Sequence, residues 1–323
     1  MTAANHDLGK VGVLYGGRSA EREVSLMSGQ AVYEALISEG VNAHLFDAGQ
    51  HGIGELAAQQ FDRVFVALHG RYGEDGTMQG ALELLGVPYT GSGHLASALA
   101  MDKIMTKRLW QHAGLPTPDY RVIQDEQDLA ELPEVLGLPL ILKAPNEGST
   151  IGLSKVQTPA ELAKAYEHVR AYDETILAEK FITGRELTVA LLGTGPLAQS
   201  LPIIEIVAPD GKYDYQNKYF SDETRYLCPA PLPEPVANLV SEIAVQAYRV
   251  LGCAGWARAD VMLDGDMKPW LLEMNTSPGM TGHSLVPMAA KAAGMSFGQL
   301  CVRILSDARC KVLSRQPLSR EPG

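Results

Sequence analysis

Short apolar runs alternate with helix-like patterns over the first hundred residues. The apolar runs lie at 11–15, 43–46, 63–69 and 88–90. Between the first two, apolar side chains recur at helical spacing: Val24, Met27, Ala31, Ala35 and Leu36. Strands that alternate with helices form parallel sheets covered by those helices. We therefore predict that residues 1–100 form a doubly wound α/β domain.

The chain has 323 residues and is 46% hydrophobic, so it can bury more than one core. A helical stretch at 95–112, followed by Leu-Pro-Thr-Pro, indicates a domain boundary. We predict three units: the α/β domain, a central α+β unit at 101–186 and a C-terminal unit at 187–313. Residues 314–323 are polar and contain two prolines, which predicts a disordered tail.

The central unit is predicted to contain strands at 138–143, 153–156 and 175–181. Its helix opens with Thr158-Pro-Ala-Glu161, which has the form of a capping box. A strand at 186–192 is predicted to complete this small sandwich, and strands around 201–207 begin the third unit. The polar and aromatic segment at 209–228 is longer than an ordinary connection, which predicts a lid before a helix near 234–251.

Charge and cysteine content exclude several classes of protein. A net charge of -11 disfavours a nucleic-acid or anionic-membrane surface, since either needs a basic face. The four cysteines have neither metal-site spacing nor the density of a disulfide scaffold, which predicts free thiols in a reducing compartment. No stretch approaches 18 consecutive apolar residues. We therefore expect a cytoplasmic protein that binds neither nucleic acid nor membrane.

The segment 260–279 contains the strongest chemical pattern. Alternation in Trp-Leu-Leu-Glu-Met-Asn puts Glu273 and Asn275 on one face of a strand. A hairpin through 264–266 would bring Asp260 alongside them. Two carboxylates and one amide are oxygen ligands that suit Mg²⁺ carried in by a nucleotide. The alternative is a solvated hairpin with acidic edges.

A second pattern indicates a nucleotide. Lys143 ends an apolar run and is followed by the glycine-rich segment 147–152, whose N–H groups could contact phosphate oxygens beside Lys103 and Lys180. This is not a Walker motif, and an ordinary glycine hairpin is the alternative. The hinge-like segment 176–186 could hold adenine against Phe181 and Ile182. Glu179 or Glu186 could accept hydrogen bonds from ribose, unless they are solvated edge charges.

Two glycine-rich turns follow predicted strands in the first domain. In the first, Glu21 opens a helix, where a carboxylate could hold a substrate ammonium or simply complement the helix dipole. The turn lacks the full spacing of a dinucleotide-binding motif. In the second, His69 begins a Gly-Arg-Tyr-Gly-Glu-Asp-Gly run at the same sheet edge. A ligand-facing role and a structural role both remain open for His69.

With these motifs in this order, the chain resembles the D-alanine:D-alanine ligase family. The similarity lies at 16–25, 67–70, 89–93, 101–103 and 256–286 and spans nearly the whole chain. It implies the ATP-grasp fold with an N-terminal Rossmann-like domain. It also implies ATP-dependent joining of two D-alanine molecules through an acyl phosphate, with release of ADP and phosphate, for peptidoglycan precursor synthesis. The family resemblance further implies a homodimer and two Mg²⁺ ions, which Mn²⁺ can replace.

The resemblance also implies residue roles. Glu21 would hold the ammonium of the first D-alanine, and Arg258 with the Gly279 N–H would stabilise the oxyanion. Ser284 and the Leu285 backbone would bind the second carboxylate.

The remaining implied roles concern ATP, its metal ions and the lid. Lys218 would lie near the second carboxylate and the transferred phosphoryl group, and Ser149 and Tyr219 would, with Glu21, tie the lid to the first domain. The nucleotide and metal positions that match the family are Lys103, Lys143, Lys180, Asp260, Glu273 and Asn275. Tyr219 favours D-alanine as acceptor over D-lactate. A D-alanine:D-lactate ligase, another carboxylate-amine ligase and a catalytically silent ATP-binding regulator are the alternatives.

Overall fold

The computed structural model describes residues 7–148, 152–208 and 224–312. The first unit is a three-stranded parallel sheet in the order β2-β1-β3, with an added parallel bridge between Val64 and Tyr89. Its elements are β1 Val11–Tyr15, α1 Arg22–Ser38, β2 Ala43–Asp47, α2 Ile53–Ala58, β3 Arg63–Val66 and α3 Thr77–Leu85. The predicted alternation of strands and helices is confirmed, and the glycine-rich turns after β1 and β3 lie at the carboxyl edge of the sheet, where α/β proteins bind ligands.

Helix α1 buries a more polar face than its apolar spacing predicts. Met27, expected on the buried face, is 45% exposed, whereas Ser25 and Ser28 are fully buried. Ser25 Oγ donates to the Ala67 carbonyl at 2.7 Å, which satisfies its hydroxyl inside the core. A pattern based on hydrophobicity alone misses such positions, because a satisfied serine is as acceptable there as a small apolar residue.

The helical stretch predicted at 95–112 is two helices, α4 His94–Met101 and α5 Lys103–His112. Asp102 separates them and caps α5, accepting from the Ile104 and Met105 N–H groups at 2.9 and 3.0 Å. Both helices pack against the third unit, and the fully buried Trp110 donates its indole N–H to the Ala247 carbonyl at 3.2 Å.

The central unit is a four-stranded antiparallel sheet in the order β4-β7-β5-β6. Helix α7 packs against it through Leu162, Ala165, Tyr166 and Val169, which recur at helical spacing. The elements of this unit are β4 Tyr120–Ile123, α6 Leu132–Val135, β5 Leu140–Lys143, β6 Leu153–Val156, α7 Leu162–Arg170 and β7 Ile176–Lys180, with short 3₁₀ turns at Glu126–Glu131 and Pro159–Glu161.

The third unit contains a six-stranded sheet with the order β11-β10-β8-β12-β13, in which β9 also pairs with β8. The strand predicted at 186–192 to complete the central unit belongs here instead. It is the inner strand β8, antiparallel to both β10 and β12. The elements are β8 Gly184–Leu192, β9 Gln199–Ser200, β10 Ile204–Val207, β11 Arg225–Leu227, α8 Glu234–Val250, β12 Trp256–Asp264, β13 Pro269–Asn275, α9 Leu285–Ala292 and α10 Phe297–Ser306.

Part of the predicted lid is regular structure, since β11 pairs with β10. Positions 209–223 of that lid, and the tail predicted at 314–323, lie outside the described residues. In the described ranges no single helix is long and apolar enough to cross a membrane, and only the pair α9 and α10, bent by 104°, meets the same length and composition test together.

One continuous core joins the first and third units. Val13 and Phe65 of the parallel sheet pack in the same cluster as Trp256 of β12 and Leu285 of α9. The rings of Phe65 and Trp256 lie 6.1 Å apart. This core fixes the ligand-binding edge of the first unit against the ends of β12 and β13, which brings the motifs of both units together.

Candidate active site

The hairpin of β12 and β13 brings the predicted metal ligands onto one face. Asp260 lies directly opposite Glu273, and Arg258 lies opposite Asn275. Residues opposite each other, and those two apart, share a face of an antiparallel pair. The turn closes through a bond from the Met267 N–H to the Asp264 carbonyl at 3.0 Å. The geometry predicted for this segment is confirmed, with a register shift after Asp260.

Asp260 is buried and accepts three hydrogen bonds from two residues. Arg258 donates through Nε to Oδ1 at 2.8 Å and through Nη2 to Oδ2 at 2.7 Å. Thr188 of β8 donates its hydroxyl to Oδ1 at 2.7 Å. The bidentate pair fixes the plane of the guanidinium. Sequence reasoning missed Thr188, because only the pairing of β8 with β12 places it beside Asp260.

Glu273 and Asn275 line a small cavity of about 30 Å³ at the junction of the three units. Lys103 Nζ lies 3.2 Å from Glu273 Oε2 and donates to the Glu147 carbonyl at 2.8 Å. We call this space the acidic cavity; its polar lining is Glu21, Glu74, Lys103, Glu273, Asn275 and Thr276. Within the described ranges, no three His, Cys, Asp or Glu side chains are arranged to hold a metal, so the predicted set depends on the Asn275 amide.

A buried charge cluster surrounds Lys143, the lysine predicted to bind phosphate. The carboxylate of Glu179 contacts both Lys143 of β5 and Lys107 of α5. Burial opposes ionisation of Glu179, but the two lysines outweigh it and hold the pKa of this carboxyl below its ordinary value. Burial lowers the pKa of Lys107 to about 8. Glu179, predicted to contact ribose, is therefore engaged by cations, and sequence reasoning missed Lys107.

The other predicted nucleotide residues lie along the exit from β7. Lys180 is exposed, and its backbone N–H donates to Asp119. Phe181 is half-buried; its N–H donates to the Pro139 carbonyl at 3.3 Å, and Lys155 Nζ lies 3.6 Å from its ring centroid. Ile182 is half-buried, and Glu186 lies near the start of β8. An apolar and cationic surface thus exists here, and the Phe181 N–H is already bonded within the protein.

Glu21 is the N-cap residue of α1 and is 7% exposed. Its backbone N–H donates to Ser19 Oγ at 3.2 Å, and Ser19 Oγ donates to the His69 carbonyl at 2.6 Å. A Cβ added to Gly70 or to Gly148 would lie 3.0 or 2.9 Å from Glu21 Oε2. The two glycines therefore permit the loops of the first and central units to close on this carboxylate.

His69 is buried with both ring nitrogens engaged within the protein. Nδ1 lies 2.7 Å from the Ser277 carbonyl and must donate to it, so in the neutral ring Nε2 accepts from Ser28 Oγ at 2.9 Å. Ser28 Oγ in turn accepts from the Met280 N–H at 3.1 Å. His69 therefore has a structural role, because its bond to the Ser277 carbonyl joins the first unit to the segment after β13. Its direct contact with substrate stays a prediction.

Gly279 and Ser284 both lie just before α9, and Ser284 is its N-cap residue. A Cβ on Gly279 would lie 3.0 Å from Ser284 Oγ, so the two approach closely. Ser284 Oγ accepts from the Thr281 N–H at 2.9 Å and does not cap its own helix. Leu285 buries its side chain in the shared core, so a ligand can use only its backbone. Backbone N–H groups at a helix start suit a carboxylate.

Glu74, which sequence reasoning quoted only as part of the His69 motif, is a further acidic residue at the site. It is 8% exposed, and burial together with the neighbouring Glu21 carboxylate raises its pKa to about 8. Its position in a glycine-rich loop after β3 could have identified Glu74 as a candidate site residue from sequence. Three predicted site residues, Ser149, Lys218 and Tyr219, lie outside the described residues.

Comparison with known proteins gives consistent matches over most of the chain. The family model described as D-ala D-ala ligase C-terminus matches residues 109–306, and that described as D-ala D-ala ligase N-terminus matches residues 48–92. A D-alanine–D-alanine ligase of Bordetella petrii is 66% identical over 307 residues, covering 95% of this chain and 94% of that protein.

Solved structures agree with the sequence matches. A D-alanine–D-alanine ligase from Bacillus anthracis aligns with a TM-score of 0.82 at 34% identity, covering 93% of this chain and 97% of that one. A structure of the ligase from Bacillus anthracis complexed with ATP aligns at 0.80 and 33% identity, with the same coverage.

Proposed function

The chain belongs to the D-alanine–D-alanine ligase family and has the ATP-grasp fold, and from this premise we infer how its own residues join two D-alanine molecules at the expense of ATP. The observation that supports the inference most directly is the register of β12 and β13. It gathers Arg258, Asp260, Glu273 and Asn275 on one face, beside Lys103.

We propose that the reaction proceeds in two steps. The carboxylate of the first D-alanine attacks the γ-phosphorus of ATP, ADP leaves, and an acyl phosphate forms. The amine of the second D-alanine then attacks the acyl carbon, and phosphate leaves from the tetrahedral intermediate. Glu21 holds the first ammonium group, since its carboxylate is buried at the ligand-binding edge of the parallel sheet.

Arg258 and the Gly279 N–H stabilise the oxyanion of that intermediate. Asp260 supports this by fixing the guanidinium plane before substrate arrives, and preorganised donors lower the barrier because they need no reorientation. The His69 and Ser28 network holds the chain on both sides of Gly279. Ser284 and the Leu285 N–H bind the carboxylate of the second D-alanine at the start of α9.

We propose that ATP lies between the central and third sheets, with phosphates at Lys103 and Lys143 and the base beside Phe181 and Ile182. Glu179 acts through Lys143, whose ammonium it anchors, and not as a direct ribose ligand. Lys180 and Glu186 remain predicted nucleotide contacts. Lys218, Ser149 and Tyr219 remain predictions for phosphoryl transfer, lid closure and acceptor choice.

Mg²⁺ fits the donor set of Asp260, Glu273 and Asn275. Two carboxylates and an amide are hard oxygen ligands, and Asp260 Oδ2 keeps a second lone pair beyond its bond to Arg258. When bound, the proposed two Mg²⁺ ions, or Mn²⁺ in their place, neutralise charge on the phosphates. Lys103 complements them by placing a fixed cation on Glu273.

We further propose that the enzyme supplies a peptidoglycan precursor in the cytoplasm, where ATP is available, and that it is a homodimer as its family resemblance implies. D-Alanine and ATP are its small-molecule partners in this proposal.

The test is ADP release across D- and L-amino acids and D-lactate, with the product identified by mass. We expect release that requires D-alanine and Mg²⁺ and yields the dipeptide. Release with L-alanine alone would contradict the stereochemical assignment. A D-alanine:D-lactate ligase would be recognised by its acceptor across pH, because an amine acceptor loses nucleophilicity when protonated and a hydroxy acid does not.

A further inference from the structure

We propose that Glu74 is a further substrate-binding residue, whose carboxyl group stands with that of Glu21 around the ammonium group of the first D-alanine. The proposal rests on the role proposed above for Glu21, and it assigns Glu74 a contact with the substrate itself.

One oxygen of Glu74 lacks a hydrogen-bond partner within the part of the chain that the structure describes. The Gly70 N–H donates to Glu74 Oε1 at 2.9 Å, which fixes one oxygen. Oε2 is buried and has no hydrogen-bond partner among the described residues. Buried polar atoms are nearly always paired, so an oxygen left over at a ligand site indicates a donor supplied by the ligand.

The size of the acidic cavity limits what that donor can be. At about 30 Å³ it has room for one or two water-sized groups. An ammonium head group fits, whereas a whole amino acid does not. The rest of the substrate must therefore lie outside this cavity, with its amino group inside.

A cation in the acidic cavity favours ionisation of Glu74, because it opposes the burial and the Glu21 repulsion that raise the pKa of this carboxyl to about 8 in the free protein. Glu21, Glu74 and Glu273 contribute carboxyl groups, while Lys103 contributes one ammonium that is already shared between Glu273 and the Glu147 carbonyl. An ammonium has three N–H donors, more than one carboxylate usually satisfies. Glu21 and Glu74 together offer it acceptors on two sides.

The two carboxyl groups are positioned by the same turn. Gly70 donates its N–H to Glu74, and an added Cβ on Gly70 would lie 3.0 Å from Glu21 Oε2. Ser19 joins the turns that carry them, through its bonds to the Glu21 N–H and the His69 carbonyl. The turns that carry the two groups are therefore joined before substrate binds, and Gly70 lies next to both carboxyl groups.

The test compares D-alanine with propionate, which is D-alanine without its amino group. For wild type and Glu74→Gln, the KM of the first D-alanine and the inhibition constant of propionate competing with it are measured. We expect Glu74→Gln to raise the KM about 10- to 100-fold, as for loss of a charge-assisted hydrogen bond, and to change propionate inhibition less than about twofold.

Glu83→Gln is the matched control. Glu83 is buried in the same unit, and it accepts from the Tyr89 hydroxyl at 2.7 Å and the Lys311 N–H at 2.6 Å, away from the acidic cavity. This variant should lower thermal stability and leave the ratio of the two constants unchanged. If Glu74→Gln does not fold, Glu74→Asp carries the same comparison, because it withdraws the carboxyl by one methylene.

The assignment of Glu74 would be overturned if Glu74→Gln leaves the ratio of the D-alanine KM to the propionate inhibition constant unchanged, including the case in which both constants rise equally. The wild-type enzyme separates this failure from a failure of the proposed function. If wild type releases no phosphate with D-alanine and ATP, the family-based function is wrong; if it does and Glu74→Gln discriminates as wild type does, only Glu74 is wrongly assigned.

Discussion

Gly148→Ala should impair substrate binding without harming the fold. Gly148 lies in the predicted phosphate-contacting segment 147–152, and its backbone is not in the left-handed region, so alanine is allowed there. Its new Cβ would lie 2.9 Å from Glu21 Oε2, against 3.4 Å or more for ordinary contact. The atom that must move is the end of a flexible side chain, so the stability change should stay within about 1 kcal/mol.

The expected catalytic effect follows from that displacement. Glu21 must retreat by roughly 0.5 Å, and a misplacement of about 1 Å can cost about 100-fold in rate. We therefore expect kcat/KM for D-alanine to fall about tenfold, or about 1.4 kcal/mol, with the KM for ATP nearly unchanged. ADP release measured against D-alanine at saturating ATP gives kcat/KM for D-alanine, and release measured against ATP at saturating D-alanine gives the KM for ATP.

Gly54→Ala is the control for Gly148→Ala. Gly54 lies within α2, where an added Cβ meets no atom within 4 Å. Alanine there should stabilise the helix by up to about 1 kcal/mol and leave the kinetics unchanged. If Gly148→Ala binds D-alanine as wild type does, the close approach of the loop to Glu21 does not exist in the working enzyme.

Three other substitutions test separate parts of the argument. Glu273→Gln should lower magnesium-dependent ADP release at least about 100-fold, but change the free energy of unfolding by only about 0.5 kcal/mol, since its side chain is 30% exposed; a wild-type rate would remove Glu273 from the site. Lys107→Met should destabilise by about 3 kcal/mol or more in urea unfolding, because it leaves Glu179 buried with one cation fewer, and an unchanged midpoint would contradict this. The hydrogen bonds from Arg22 hold the pKa of Asp47 below its ordinary value, so this pair stabilises fully above about pH 4 and is lost as pH falls through the folded pKa. Asp47→Asn should therefore lose thermal stability at neutral pH, and its difference from wild type should shrink as the pH falls through the folded pKa of Asp47; a constant difference across pH would refute it.

Local pattern was sufficient for the hairpin that carries Asp260, Glu273 and Asn275. Alternation along a strand decides which side chains share a face, and the turn residues decide where the chain reverses. Local pattern was not sufficient for β8. The strand predicted at 186–192 was expected to complete the central sheet, but it pairs with β10 and β12 in the third unit. Periodicity identifies a strand but not its partners, and partnership with β12 is what puts Thr188 on Asp260.

The amino-acid sequence by itself determined the order of the elements, the common face of Asp260, Glu273 and Asn275 on one strand pair, and the family, because these depend on spacing along the chain. Tertiary structure decided which distant groups meet. Glu179 contacts two lysines, His69 joins two units through Ser277, and Glu74 keeps one oxygen near Glu21 that has no partner in the described ranges. Burial and long-range packing set hydrogen bonding and charge at these positions, and neither is encoded in local spacing.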